Sequence, residues 1–293
     1  MSIKISIIGA NGMVGQTMQK ELARIKNKEV EVLAFSRSDE IPPCDIAILC
    51  TDDSWSEKLY PIIKDKAKFV IDMSAKYRQA EGIPLVIPEI NADAITKDTK
   101  LIASPNCTTT GLVMSLNVLE KYQPQEVFFS SYQAMSGGGR QMLEELDNKN
   151  SIYHKNVVPT ISTTLENGYC KEEVKCIEET KKILNMPNII VRPHTARVSV
   201  ETGHSIFTSV RLNKTADLED IKNLFNSYTG MKFSDKEITP KEIVGKDDVY
   251  ICRLRGDYYD DKYVNYFITF DNLLKGASLN ARQIVEVLLE KFL

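Results

Sequence analysis

The sequence predicts a two-domain α/β chain, and three observations carry that expectation. Short apolar strands alternate with helical patterns through the first hundred residues, strands of antiparallel or mixed character dominate after residue 107, and an amphipathic helix closes the chain. At 293 residues, 43% hydrophobic and 26% charged, the chain is long enough for two domains and a substantial core.

Lys4 to Ile8 reads as a buried strand that runs directly into Gly9-Ala10-Asn11-Gly12-Met13-Val14-Gly15, followed by a helical pattern through Met18, Leu22 and Ile25. This G-x-x-G-x-x-G turn between a strand and a helix lets the backbone approach a pyrophosphate, which then sits on the helix N-terminus. The context makes the first domain Rossmann-like. The next strand, Glu31 to Phe35, ends in Ser36-Arg37-Ser38 and lacks the acidic residue that would hold an adenosine ribose 2′-hydroxyl, so Arg37 favours a 2′-phosphate and hence NADP. Strands at Asp45–Cys50 and Phe69–Asp72 flank a helix near Glu57–Asp65, which argues for a doubly wound parallel sheet. In the second half, strands are expected at Glu126–Gln133, Ser205–Val210 and Tyr263–Thr269. The closing helix, Asn280–Leu289, has its most economical place against the N-terminal sheet. The expected division is a cofactor domain at 1–106 completed by 277–293, and an α+β catalytic domain with a mixed sheet at 107–276.

Composition narrows the function classes. A net charge of −3, with basic residues interspersed among acidic ones, gives no polyanion-binding surface, so nucleic acid is a poor partner. The first strand starts within a few residues of Met1 without a basic-then-apolar leader, and no apolar run has bilayer length, so a cytoplasmic protein without membrane attachment is expected. Six cysteines without a C-x-x-C pair read as free thiols, and three histidines without ligand spacing argue against a metal site.

Four constellations can carry chemistry. Ser104-Pro105-Asn106-Cys107-Thr108-Thr109 places a cysteine at or beside the N-terminus of the helix patterned by Leu112, Val113, Leu116, Val118 and Leu119, where unpaired N–H groups and the macrodipole favour a thiolate. Gln133 precedes Ala134-Met135-Ser136-Gly137-Gly138-Gly139-Arg140, which reads as a flexible loop able to approach a flat cofactor ring, or as a plain hairpin connection. Glu172 and Lys175 lie three apart on a helix and share a face, most often as a surface ion pair. Arg197-Val198-Ser199-Val200-Glu201-Thr202-Gly203-His204 brings a guanidinium and an imidazole together, with Gly203 loosening the backbone. A catalytic cysteine requires a base near neutral pKa, and His204 is the histidine set in such a context.

Together these motifs resemble the aspartate-semialdehyde dehydrogenase family, in that family's order. Ile71-Asp72-Met73-Ser74-Ala75-Lys76-Tyr77-Arg78 and Leu273-Leu274-Lys275-Gly276-Ala277-Ser278-Leu279-Asn280-Ala281 extend the likeness over the whole chain. The resemblance implies Cys107 as nucleophile, His204 as general acid and base, and Gln133 as the residue orienting the acyl intermediate. It implies Arg197 as a carboxylate clamp, Glu172 as partner of the substrate ammonium, Arg78 and Lys175 as phosphate ligands, and Asn106 in the substrate site. Gly9, Asn11, Gly12, Met13, Val14, Gly15, Arg37, Ser38, Thr51, Ser136, Gly137, Asn280 and Gln283 would hold NADP(H). Inorganic phosphate would be co-substrate or product, no metal would be needed, and the chain would form a homodimer or homotetramer through the second-half sheet. The implied reaction reduces L-aspartyl-4-phosphate to L-aspartate 4-semialdehyde.

Three alternatives stand beside it. The reductase acting on N-acetyl-glutamyl phosphate shares the chemistry but resembles P-G-C-Y around its cysteine, where this chain has Pro105-Asn106-Cys107-Thr108. An acyl-CoA-linked semialdehyde or malonyl reductase has largely coinciding active-site residues. A silent nucleotide- or partner-binding paralogue would have no use for Cys107, Gln133, Arg197 and His204 together.

Overall fold

The computed structural model describes residues 2–293, which divide into two compact units, one of residues up to Asn106 with Ala277–Leu293 and the other of Cys107–Gly276. The first unit comprises β1 (Ile3–Ile8), α1 (Met13–Leu22), β2 (Val30–Phe35), β3 (Cys44–Leu49), α2 (Asp53–Ile63), β4 (Ala67–Asp72), the short α3 (Pro88–Asn91) and β5 (Leu101–Ala103). Its five strands form one sheet in the order β2-β1-β3-β4-β5, every neighbouring pair parallel. Ile5, Ile7, Ile8, Ile46, Ala47, Ile48 and Leu49 are fully buried because both sheet faces are covered, which is why these strands read as largely apolar runs, with the buried Ser6 as the polar exception in β1.

The second unit contains α4 (Cys107–Val118), β6 (Pro124–Gln133), α5 (Arg140–Glu144), β7 (Val157–Val158), α6 (Lys171–Leu184), β8 (Ile190–Val198), β9 (His204–Leu212), α7 (Leu218–Ser227), β10 (Met231–Ser234), α8 (Pro240–Ile243), β11 (Val249–Gly256) and β12 (Tyr263–Phe270). Its sheet runs β10-β11-β12-β9-β6-β8-β7 and is mixed: β6 with β8 and β10 with β11 are parallel, the other pairs antiparallel. α4 is buried from Thr108 to Leu116 and packs as a core helix, with Gly111 pressed against the Phe270 ring. α6 turns Glu172, Cys176, Glu179 and Ile183 inward, and its opening turn is closed by Glu173, whose carboxylate accepts the Cys170 N–H at 2.9 Å and the Thr195 N–H at 3.2 Å. A turn of π-helix at Leu274–Ser278 ends this unit.

The last element, α9 (Leu279–Lys291), belongs to the first unit. Ala281, Ile284, Val285, Leu288 and Leu289 join Met18 and Leu22 of α1 on the Ile5 and Ile7 face of the sheet, while Leu59 and Ile63 of α2 cover the Ile8 and Leu49 face. Arg282 fixes this packing through the buried Glu21 carboxylate of α1 at 3.1 Å.

Candidate active site

In the second unit the chemistry gathers where three neighbouring strands end or begin. β6 lies between β8 and β9, so its last residue, Gln133, stands beside Arg197 of β8, and the preceding Tyr132 pairs with Ser205, next to His204 at the start of β9. Cys107 is the first residue of α4, with its sulfur 3.2 Å from His204 Nε2. The helix N-terminus favours the thiolate form there. His204 is fully buried, and its other ring nitrogen, Nδ1, accepts the Ala134 N–H at 3.1 Å. Burial, reinforced by the Arg197 cation, pushes the imidazole pKa well below its usual range.

The Gln133–Arg140 segment is neither a flexible loop nor a hairpin connection: it is a 3₁₀ turn over Met135–Gly138 leading into α5. The loop between β8 and β9 holds it, with the Met135 N–H on the Val200 carbonyl at 2.8 Å and the Ser136 N–H on the Glu201 carbonyl at 3.0 Å. Asn272 ties the same pieces together from beyond β12, donating to the Ser136 hydroxyl at 3.0 Å and accepting the Gly203 N–H at 2.9 Å. Gly203 does not loosen the backbone. Its φ is +101°, and a β-carbon there would meet Pro240 at 2.9 Å, so the residue is a tightly packed left-handed turn.

Arg197 is buried and donates from Nη1 to the Ala134 carbonyl at 2.7 Å; burial lowers its pKa, opposed by Cys107 and Glu172. A β-carbon at Gly137 would stand 2.9 Å from that guanidinium and 3.2 Å from His204 Nε2, so only glycine leaves this space open. Glu172 is not a surface residue. It is buried, accepts the Gln133 amide at 3.2 Å and faces the half-exposed Lys175 ammonium at 3.6 Å. The second unit thus brings Cys107, Gln133, Glu172, Lys175, Arg197 and His204 together with Ser136 and Gly137, two of the expected cofactor residues.

The first unit carries a cleft of about 400 Å³ lined by Gly9, Asn11, Gly12, Ser36, Arg37, Cys50, Thr51 and Asp52. Gly9 has φ +84°, and a β-carbon on it would stand 2.4 Å from the Cys50 carbonyl; one on Gly15 would stand 2.3 Å from the Gly9 carbonyl. The turn therefore admits no side chain at either position. Gly12 caps α1, Met13 and Val14 open it, and no acidic residue occupies its first turn, so the helix end can receive an anion. Arg37 stacks over Trp55 at 5.1 Å and lies 3.8 Å from Asp52, while Ser38 sits 3.3 Å from Ser36, hydroxyl to hydroxyl. Thr51 is bonded to Ser56 at 2.9 Å, and Ser56 donates to the fully buried Asp72 at 2.7 Å; desolvation raises the pKa of that carboxyl.

Four further expected site residues are engaged within the first unit. Arg78 is buried and donates to the Ser104 carbonyl at 2.8 Å and the Met73 carbonyl at 3.0 Å, and Asn106 is buried. Asn280 is buried, its amide donating to the Val86 carbonyl at 3.0 Å, and Gln283 donates to Glu89 at 2.7 Å. Sequence reasoning missed two residues. Asn272 carried no signal beyond a buried asparagine just before Lys275-Gly276, and Ala134 acts through its main chain. Among the described residues there is no group of side chains able to hold a metal and no helix long and apolar enough to cross a membrane.

The comparisons with known proteins agree with this fold. The family model described as semialdehyde dehydrogenase, NAD binding domain, matches residues 24–98, and that described as semialdehyde dehydrogenase, dimerisation domain, matches residues 116–275. The aspartate-semialdehyde dehydrogenase of Bacillus subtilis is 32% identical over 337 aligned residues, covering 98% of this chain and 97% of that protein. Among solved structures, aspartate semialdehyde dehydrogenase II of Vibrio cholerae complexed with ASA superposes with a TM-score of 0.93 at 27% identity over 100% of both chains. The Candida albicans enzyme with NADP shares the fold, with a TM-score of 0.77 at 22% identity over 99% of both chains. The chain belongs to the aspartate-semialdehyde dehydrogenase family.

Proposed function

We propose that this protein reduces L-aspartyl-4-phosphate to L-aspartate 4-semialdehyde with release of phosphate, using NADPH, in the biosynthesis of lysine (through diaminopimelate), threonine and methionine. The observation that carries the reading is the Cys107 sulfur at the first residue of α4, 3.2 Å from His204 Nε2, in a chain of this family. The Cys107 thiolate attacks the acyl carbon, the carbon–oxygen bond to phosphate breaks, and the aspartyl group is held as a thioester. His204 is the hydrogen-bonded partner of the sulfur, and Gln133, braced by Glu172, orients the acyl group. Arg197 grips the substrate α-carboxylate as a fork and Glu172 meets its ammonium, each charge meeting its opposite in a buried setting. Arg78, Lys175 and Asn106 complete the substrate and phosphate contacts.

The residues of the first-unit cleft fit a dinucleotide. The side-chain-free approach at Gly9 and Gly15 and the helix end at Gly12, Met13 and Val14 suit a pyrophosphate, and Arg37 with Ser38 suits a 2′-phosphate. Asn11, Thr51, Ser136, Gly137, Asn280 and Gln283 complete the proposed set. When bound, NADP(H) supplies or accepts the hydride at the acyl carbon. The V. cholerae structure is a complex with ASA and the C. albicans structure one with NADP, and the dimerisation-domain match supports self-association; the proposed assembly is a homodimer or homotetramer, and the proposed location is the cytoplasm.

The test is phosphate-dependent reduction of NADP⁺ by L-aspartate semialdehyde, run beside N-acetyl-glutamate semialdehyde. Turnover of the first supports the reading; turnover of the second alone overturns it.

A further inference from the structure

We propose that Asp52 sets the cofactor choice of the first-unit cleft: its carboxylate opposes a 2′-phosphate at Arg37 and accepts the ribose 2′-hydroxyl of an unphosphorylated dinucleotide, so that the cleft takes NAD(H) as well as NADP(H). The inference deepens the proposed function and rests on the cleft holding a dinucleotide with its adenosine ribose at Arg37.

Strand order places the two charges together. β2, β1 and β3 are parallel neighbours, so the segments leaving their C-terminal ends, with Arg37 after β2, Gly9 after β1 and Asp52 after β3, meet around one cleft. Arg37 Nη1 lies 3.8 Å from Asp52 Oδ2, and both side chains are 59% exposed. An ion pair this open contributes little to the fold. What it does change is the charge that a ligand meets beside Arg37.

Asp52 is fixed where it stands. It is the N-cap of α2, and its Oδ1 accepts the Trp55 N–H at 3.1 Å and the Ser54 hydroxyl at 2.7 Å. Those two bonds, the Ser54 hydroxyl foremost, hold the carboxyl below its usual range, so it is charged at neutral pH. Both donors fall on Oδ1, which leaves Oδ2 facing Arg37 with acceptor capacity to spare. The acids nearby in the chain are spent elsewhere: Asp39 accepts the Ser36 N–H at 2.7 Å and Asp53 the Ala75 N–H at 2.7 Å.

The two helix ends differ accordingly. α1 opens without an acid in its first turn and without a side chain on its cap, whereas α2 opens on Asp52 and Asp53. A pyrophosphate therefore belongs to α1, and the α2 side repels a phosphate placed next to it.

A 2′-phosphate drawn to Arg37 brings its negative charge against this fixed carboxylate and has to take the guanidinium from it. A ribose that keeps its 2′-hydroxyl brings a proton donor instead. In dinucleotide-binding folds an acid receives that hydroxyl and an arginine receives the 2′-phosphate. Here the acid missing from the end of β2 comes from the end of β3, so one cleft holds both.

Adenosine 2′,5′-bisphosphate and AMP differ only in the 2′-phosphate and test the pair by equilibrium binding to the whole protein, with no turnover. Trp55 is the single tryptophan of the chain, and Arg37 lies over its ring at 5.1 Å, so its fluorescence reads occupation of the cleft. The wild type is expected to bind the two probes within about tenfold of each other, the Arg37 attraction being offset by Asp52. Asp52→Asn keeps a capping side chain and loses the charge. It is expected to tighten the bisphosphate and weaken AMP, moving the ratio of the two dissociation constants by about tenfold, with a smaller change in high salt. Asp53→Asn, the same loss of charge one residue along, is expected to leave the ratio within about twofold. A ratio unchanged in Asp52→Asn, AMP binding that this variant does not weaken, or an equal shift in Asp53→Asn overturns the proposal. If the wild type binds neither probe, nor NADP⁺ or NAD⁺, the dinucleotide reading of the cleft falls with it; binding that is indifferent to Asp52 leaves that reading standing and removes the proposal alone.

Discussion

Gly276 packs so closely on Cys107 that a β-carbon at 276 would stand 2.8 Å from the Cys107 Cβ and 3.3 Å from its Cα. The π-turn at Leu274–Ser278 brings the backbone there, and the contact sets where the nucleophile's main chain can lie. Gly276→Ala must displace Cys107 by some tenths of an ångström or more. Misplacing a reacting atom by about 1 Å can cost 10²-fold, and kcat/KM is expected to fall by at least about tenfold while the thermal midpoint drops by only a few degrees. Unchanged Cys107 alkylation and turnover would show that the contact has no bearing on the chemistry.

Removing the charge of Glu172 tests its place in the substrate grip. Its carboxylate is buried between the Gln133 amide and Lys175, and Glu172→Gln keeps the shape while losing the negative charge. A charged hydrogen bond is worth about 1.5–3 kcal/mol, so KM for L-aspartate semialdehyde is expected to rise by roughly 10- to 100-fold. A change confined to kcat with KM intact would place Glu172 elsewhere in the reaction.

Burial of His204 sets a sign for stability against pH. Its folded-state pKa is held well below the ordinary 6.5, so below pH 6.5 the unfolded chain binds a proton that the folded chain does not. This contribution to stability is complete above 6.5 and is lost as pH falls, by about 1.4 kcal/mol for each further pH unit until the folded-state pKa is reached. Urea unfolding from pH 7.5 to pH 5 is expected to show a slope that His204→Gln reduces by that amount. Parallel slopes would mean that the ring is protonated in the folded protein.

Arg37 is placed to discriminate the two dinucleotides. It is more than half exposed, stacked on Trp55 and 3.8 Å from the Asp52 carboxylate in the cleft that contains the glycine turn. Arg37→Ala is expected to weaken NADP⁺ binding by about tenfold, in keeping with loss of a charge-assisted contact, and to leave NAD⁺ binding within twofold. Equal losses for both, measured by calorimetry, would move 2′-phosphate recognition to other residues.

Much of the fold was legible because burial on both faces writes largely apolar strands such as Ile5–Ile8, broken only by the buried Ser6, and Ile46–Leu49, and because a strand, a glycine turn and a helix follow one another at the N-terminus. β8 was harder to read, since Arg192, Pro193 and His194 interrupt it. Proline is tolerated there because β7 pairs with β8 only at Arg197 and Val198, so that β8 is an open edge at Pro193. Within the site, residue types with reactive side chains could be singled out from the chain. The direction of the Ala134 N–H, the burial of Glu172 and the tie made by Asn272 could not, because each depends on how the ends of β6, β8, β9 and β12 meet. The turn after Gln133 misled for the same reason: its glycines suggested mobility, and backbone bonds to Val200 and Glu201 hold it.

The central claim is that Cys107 carries the aspartyl group. Intact-mass and peptide mass spectrometry of the whole protein, mixed with freshly formed L-aspartyl-4-phosphate in the absence of reduced cofactor, tests it most directly. The account predicts one aspartyl adduct per chain, on Cys107, removed by hydroxylamine and absent from Cys107→Ser. An adduct on another residue, or a Cys107→Ser protein that still reduces L-aspartyl-4-phosphate at a comparable rate, would contradict it.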